Sequence, residues 1–266
     1  MGITHVCFGL SYLIALGLEL AQQAWPSRAL RVAGLVFGIA GLVTHTIFIV
    51  FHQPSPASAY GSLLLLAWVI AVFYLYASLH ERTRAWALFG LPVVLILVGL
   101  SALSYGRSEN DGSWFAGEHF WGAVHGILVL AASVGITVAF LASVMYLVQS
   151  RRLRMKRSPV GGVRLLSLER LETMHRRAIN LAFPLLTVGL LLGAVRAPLT
   201  GAEAGAWTDA KILGTVGLWL VALLLLVLRY AAHLPPRRLA LLTVAAFGLM
   251  LVTLIAAHPF AAEGAR

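Results

Sequence analysis

Residues 121–154 read WGAVHGILVLAASVGITVAFLASVMYLVQSRRLR. No Asp, Glu, Lys or Arg occurs from Trp121 to Ser150, and Arg151, Arg152 and Arg154 then close the run. A bilayer core of ~30 Å needs about 20 apolar residues as a helix. The stretch therefore reads as a membrane span with a basic tail. Seven further apolar runs fit the same template, which places spans near residues 3–23, 30–52, 60–79, 86–104, 120–149, 177–196, 210–230 and 238–257. Breakers separate most of them: Trp25-Pro26-Ser27, Pro54-Ser55-Pro56, Gly106 to Gly112, Gly161-Gly162, Pro198 to Gly205 and Pro235-Pro236. The fold expected is an all-α integral membrane protein, one domain over residues 1–266 with about eight transmembrane helices. No soluble domain and no convincing internal repeat is legible.

Composition agrees. Hydrophobic residues make up 60% of the 266 and charged residues 11%, a combination that belongs to membrane proteins. A formal charge of +10 in a soluble chain would suggest nucleic acid. Its placement in loops argues otherwise, and no nucleic-acid partner is expected. The single cysteine, Cys7, supplies neither a disulfide nor a thiolate cluster. The first apolar run has no basic residue ahead of it and is long enough to span, so a cleavable signal peptide is not expected.

Eight spans put both termini on one side. Of the 20 Lys and Arg, only Arg107, Arg196, Lys211 and Arg266 fall on that side. The positive-inside rule then places both termini on the non-cytoplasmic face. It makes the basic 150–176 segment cytoplasmic. Leu165, Leu168 and Leu171 recur there every three residues, which suggests an amphipathic surface helix bound to anionic lipid, with a specific protein partner as the alternative.

The nine histidines sort by this topology. His80, His175 and His233 lie at the cytoplasmic side. His5, His45, His52, His119, His125 and His258 lie in or near the outer half. Imidazole inside hydrocarbon is costly unless paired, hydrated or ligated, so His45, well inside span 2, is the informative one. His45 and His52 are seven residues apart and can face one cavity; His125 follows Trp121 on one face. Six histidines at one depth suit a metal or a haem. The bland alternatives are interfacial imidazoles at helix ends and, for His45, an interhelical hydrogen bond. HExxH and CxxC are absent, and ligands drawn from separate helices suit a haem with two opposed imidazoles. Trp114, Trp121 and Trp207 read either as an interfacial belt or as a platform for a porphyrin face.

Three stretches and a terminal motif go further. They are 121–154, already quoted; LERLETMHRRAINLAFPLLTVGLLLGAVRA, residues 168–197; DAKILGTVGLWLVALLLLVLRY, residues 209–230; and His258-Pro259-Phe260. Together they resemble the cytochrome c assembly family, the CcsA, CcmC and HemX-like haem-handling membrane proteins. The block Phe183-Pro184-Leu185-Leu186-Thr187 is the most specific part. The resemblance covers roughly residues 119–260, and the first four spans fit an eight-span HemX-like layout.

The resemblance implies haem handling for cytochrome c maturation in a bacterial cytoplasmic membrane. By its pattern His125 and His258 are paired axial ligands of a haem b, and His45 belongs to a histidine site within the membrane. With haem so held, Trp121 and Trp207 cover the porphyrin; Arg196 and Lys211, the basic side chains at helix ends on that side, meet the propionates or else simply snorkel to the interface; and Asp209 pairs with Lys211 or caps span 7. Thr208 stands where the family has Trp, Ile212 where it has an acid, and residues 197–209 hold one Trp rather than several. These departures favour the shorter HemX-like branch, acting with a membrane partner subunit and without catalysis of its own. Two rivals stay open: a HemX-like regulatory scaffold without haem, and a small-solute transporter using His45 and Glu19. Glu19 itself reads as an interfacial acid near the inner end of span 1.

Overall fold

The computed structural model describes residues 5–56, 58–80, 85–104, 120–155, 166–199 and 210–255. It contains α1 (His5–Ala24), α2 (Arg28–His52), α3 (Ala59–His80), α4 (Ala85–Ser104), α5 (Phe120–Arg154), α6 (Leu168–Leu199), α7 (Ala210–Tyr230) and α8 (Pro236–Ile255). All eight are long and apolar enough to cross a membrane. A helix is what lipid demands, because it satisfies every interior backbone group within one segment. The described residues contain no strand.

Helix ends follow local chemistry. Ser27 caps α2, its hydroxyl accepting from the Leu30 N–H at 3.1 Å. Ser167 does the same for α6 through the Arg170 N–H. Gln53 closes α2 in the left-handed region at φ 42°, its N–H donating to the Ile49 carbonyl. Pro236 opens α8, where a missing N–H costs nothing.

The helices pack as two rings of four. In one, α1 meets α2, α2 meets α3, α3 meets α4 and α4 returns to α1; in the other, α5 to α8 repeat the same cycle. The rings meet through α3 against α5 and α8, and α4 against α5. Burial follows from this. Of the most apolar stretch of each helix, 56% is buried in α3 but 17% in peripheral α7. The exposed stripe Leu213, Val216, Leu220, Leu224 and Val227 on α7 recurs every three or four residues and is its lipid face.

A repeat that the sequence conceals is thus present in the packing. It extends to one detail. Trp68 on α3 donates from Nε1 to Thr46 Oγ1 on α2 at 2.9 Å, and Trp219 on α7 donates to Thr187 Oγ1 on α6 at 2.9 Å. Both threonines donate in turn to the carbonyl four residues back, Leu42 and Phe183. Each Trp comes nine residues after the first residue of its helix. The sequence hides the repeat because lipid-facing positions accept any apolar side chain. Thr46→Val and Thr187→Val should each lower stability in detergent by roughly 0.5–1 kcal/mol. The two losses should add, because the clasps lie in different rings. Thermal melts of the two single variants and the double would check this, and strong non-additivity would contradict the two-ring picture.

Two sequence expectations need correction. The second half of the basic segment is not a separate surface helix. Residues from Leu168 onward are the first turns of α6, and Leu171 is 1% exposed within the bundle. Leu165 lies outside the described residues, as do residues 156–164. Glu19, read as an interfacial acid, is instead 6% exposed, buried between helices with its carboxylate packed against Gly34 of α2.

Candidate functional site

The starts of α1, α3, α5 and α7 and the ends of the even-numbered helices gather at one end of the bundle. His5, His45, His52 and His125 lie in that half. The packing splits them: the first three belong to the first ring and His125 to the second.

In the first ring the imidazoles interleave with aromatic rings. His45 is fully buried and lies flat on Phe8, with ring centroids 4.3 Å apart and planes 2° from parallel. Its Nδ1 is 3.4 Å from the Tyr12 hydroxyl. Gly41 admits the Tyr12 ring, since a Cβ there would come within 2.8 Å of Tyr12 Cε1. His45 Nε2 makes no hydrogen bond of ordinary geometry, although the Leu64 backbone interacts with the ring. His5 Nε2 lies 2.8 Å from the Tyr60 hydroxyl. His52 Nδ1 donates to the Phe48 carbonyl at 3.1 Å, and the His52 ring stacks on Phe48 at 4.0 Å. Phe48 also meets His5, at 4.9 Å. It therefore stands between His52 and His5, while Phe8 covers His45, so aromatic rings fill the space where the seven-residue spacing suggested a shared cavity.

In the second ring His125 sits just inside the start of α5. Its Nδ1 is 2.7 Å from the Gly189 carbonyl of α6. A carbonyl only accepts, so Nδ1 carries the proton, and in the neutral ring the lone pair falls on Nε2. This is the arrangement in which a histidine ligates metal through Nε2 while its other nitrogen is held from behind. Trp121 is exposed, one turn before His125, and its ring meets Phe120 edge-on. The end of α5 lines a small cavity with the start of α8, and Phe140 stacks on Phe247 midway. The two helices are thus antiparallel, and the far end of α8 rises beside the start of α5. His258, Trp207 and Asp209 lie outside the described residues, as do the side chains of Arg196 and Lys211. Among the described residues no three His, Cys, Asp or Glu side chains converge on a metal ion. A haem needs only two protein ligands, so this bears on zinc-like sites and not on haem.

The opposite end holds a network that sequence reasoning missed. Arg229 of α7 donates to Glu172 at 3.0 Å and to His175 Nδ1 at 3.0 Å, both on α6. Arginine cannot accept, so His175 carries its proton on Nε2 and donates to Thr243 Oγ1 of α8 at 2.7 Å. Thr243 passes its own proton to the Leu239 carbonyl. Three helices are tied by one ordered set of donors. The signal in the sequence was the three-residue spacing of Glu172 and His175, which puts both on one helix face.

Residues 57–257 match the model of the cytochrome C assembly protein family. The chain belongs to this family. Curated relatives carry the name cytochrome c biogenesis protein CcsA. The protein from Gloeobacter violaceus is 23% identical, over 86% of this chain and 82% of its own length. That from Synechococcus elongatus is 24% identical over 74% of this chain and 73% of its own length. That from Pyropia yezoensis is 22% identical over 62% of this chain, and the match spans under two thirds of that protein, 63%. No solved structure matches this chain. For this family member the structure explains the block Phe183 to Thr187. Phe183 stacks on Trp219 at 5.8 Å, and Thr187 accepts the indole N–H of the same tryptophan. The block is a clasp between α6 and α7 rather than a ligand set.

Proposed function

We propose that the chain holds haem b for cytochrome c assembly, with His125 and His258 as the two axial ligands. The observation that carries this is the Nδ1–H of His125 held by the Gly189 carbonyl at 2.7 Å, which fits the ring for ligation through Nε2. The antiparallel packing of α5 and α8 supports the second ligand, because α8 ends at the end of the bundle where α5 begins and His258 follows Ile255 by three residues in the sequence. Two imidazoles would leave bound iron no open position, which would keep it from oxygen chemistry. Trp121 and Trp207 would shield the porphyrin, and Arg196 and Lys211 would pair with its propionates. His45, buried with an unpaired Nε2, is the candidate for a further histidine position within the membrane.

The same reading puts the histidine end on the non-cytoplasmic face of a bacterial cytoplasmic membrane, with both termini there. Arg151 and Arg154, exposed at the other end, then face anionic lipid. The chain acts without catalysis of its own, beside a membrane partner subunit, in the manner of the shorter HemX-like branch. Covalent attachment uses cysteines of the cytochrome.

Titration of the purified chain with haemin in mild detergent tests this. A Soret band with the spectrum of a six-coordinate bis-imidazole haem is expected. A chain that refuses haemin, both oxidised and reduced, would sink the proposal and leave the haem-free scaffold.

A further inference from the structure

A helix carbonyl already accepts from the N–H four residues on, and the side chain at that position leans back over it. The Gly189 carbonyl is therefore covered by whatever stands at 193. Glycine stands there. A Cβ at 193 would lie 3.0 Å from His125 Cε1, 3.3 Å from Nδ1 and 3.8 Å from Nε2. The imidazole thus rests on bare backbone, in the space a side chain at 193 would need. Gly189 does something different. A Cβ there would meet Val129 Cγ2 at 3.1 Å and Leu128 Cβ at 3.6 Å, so it sets how closely α5 and α6 approach. The spacing of two small residues four apart usually signals helix–helix packing alone. Here one of the pair makes room for backbone approach and the other for a side chain.

We propose that Gly189 and Gly193 form a cradle that fixes the tautomer and orientation of His125, with Gly193 as the positioning residue. The cradle rests on the reading of His125 as a haem ligand for its purpose, but not for its existence. Gly193→Ala puts a methyl 3.0 Å from Cε1, so the ring must give by a few tenths of an ångström and tilt on the Gly189 carbonyl. The proton is then held less firmly on Nδ1, and the Nε2 lone pair is aimed less well. Outer-shell partners of this kind are worth about 10–100-fold in metal affinity, so haemin should bind roughly tenfold more weakly. The fold should not suffer from intrinsic preference, because alanine is the better helix former.

Ring-labelled 15N-histidine spectra of the haem-free chain, with the His125 signal assigned by its loss in His125→Asn, read the tautomer directly. The wild type should show His125 protonated on Nδ1, and Gly193→Ala should show less of that tautomer. Haemin titration of both gives the affinity ratio. A Gly193→Ala chain with the wild-type tautomer and wild-type haemin affinity would overturn the cradle. If the wild type takes up no haemin, the haem reading fails while the cradle is still decided by the spectra: an Nδ1–H population reduced in Gly193→Ala upholds it, and a wild type without Nδ1–H refutes it. A variant that leaves α6 untouched guards against misfolding of Gly193→Ala. In His125→Gly, added imidazole should restore haemin binding about tenfold better than 1-methylimidazole, which ligates but has no N–H to donate. Equal rescue by the two would again count against the cradle.

Discussion

A His125→Ala, His258→Ala double variant should purify without a Soret band and bind haemin at least about 100-fold more weakly than the wild type, since outer-shell partners by themselves are worth ~10–100-fold. Each single variant should retain a five-coordinate haem with a shifted spectrum, because one imidazole remains. His125→Asn separates the two jobs of the ring. Its amide N–H replaces Nδ1 as donor to the Gly189 carbonyl, so the α5–α6 contact is kept while the ligating nitrogen is gone. That variant should melt within ~0.5 kcal/mol of wild type and still fail to ligate. Acid competes with iron for the imidazole lone pair, so the wild-type band should weaken as pH falls. A band that survives in the double variant would move the haem elsewhere, with His45 the first residue to test. A band indifferent to acid would argue against histidine ligation altogether.

Gly61→Ala should be among the most damaging single-methyl changes in the chain. A Cβ at 61 would run into the Ser55 carbonyl oxygen, with the Ser55 carbonyl carbon at 2.8 Å and that of Pro54 at 3.0 Å. These are backbone atoms, and the turn that carries them is held. The Ser55 carbonyl accepts from Ser58 N at 3.2 Å and Ser58 Oγ at 2.9 Å, and Ser58 Oγ accepts from Gly61 N at 2.9 Å. The turn also touches the second ring, because Pro56 packs against Gly126, where a Cβ would meet it at 3.2 Å. Gly126 is the residue after His125, so displacement of the turn reaches the helix that carries the proposed ligand. Overpacking of this kind costs about 3 kcal/mol. The helix-propensity gain of glycine to alanine, about 1 kcal/mol, does not offset it. Gly99→Ala is the internal control, with no atom within 4 Å of its new Cβ, and should be neutral or stabilising. Equal melting temperatures for Gly61→Ala and Gly99→Ala would contradict the packing described for the turn.

Much of the fold was legible because it depends on one-dimensional quantities. Span length against bilayer thickness located the runs that became α1 to α8, and breakers such as Pro54-Ser55-Pro56 and Pro235-Pro236 located turns. The start of α6 was misplaced for an intelligible reason. Glu169, Arg170, Glu172 and Arg176 look like a solvated segment to a hydropathy reading, yet Leu171 and His175 on the intervening face are buried. The burial of Glu19 was hidden likewise, since nothing local announces that its carboxylate packs against Gly34 on the next helix.

The site was legible only in part. Composition and topology singled out the histidines of one end, and the resemblance singled out His125. Which imidazoles meet depends on which helices are neighbours, and apolar lipid-facing sequence hardly encodes that. His45 and His52 looked like two walls of one cavity until Phe8 proved to stack on the one and Phe48 on the other. Gly189 and Gly193 have the four-residue spacing of a helix-packing pair, yet the imidazole lies on one of them.

The sequence by itself determined that this chain crosses a membrane with about eight helices, where its basic residues concentrate and which family it belongs to. Each of these follows from composition, run length or local motif. Only the tertiary structure decided that the helices form two rings of four, that the histidines divide between them, and that His125 is turned by a carbonyl 64 residues away in sequence. The physical reason is that a helix face carries no address: the partner of a buried polar atom is chosen by packing, and packing is a property of the whole bundle.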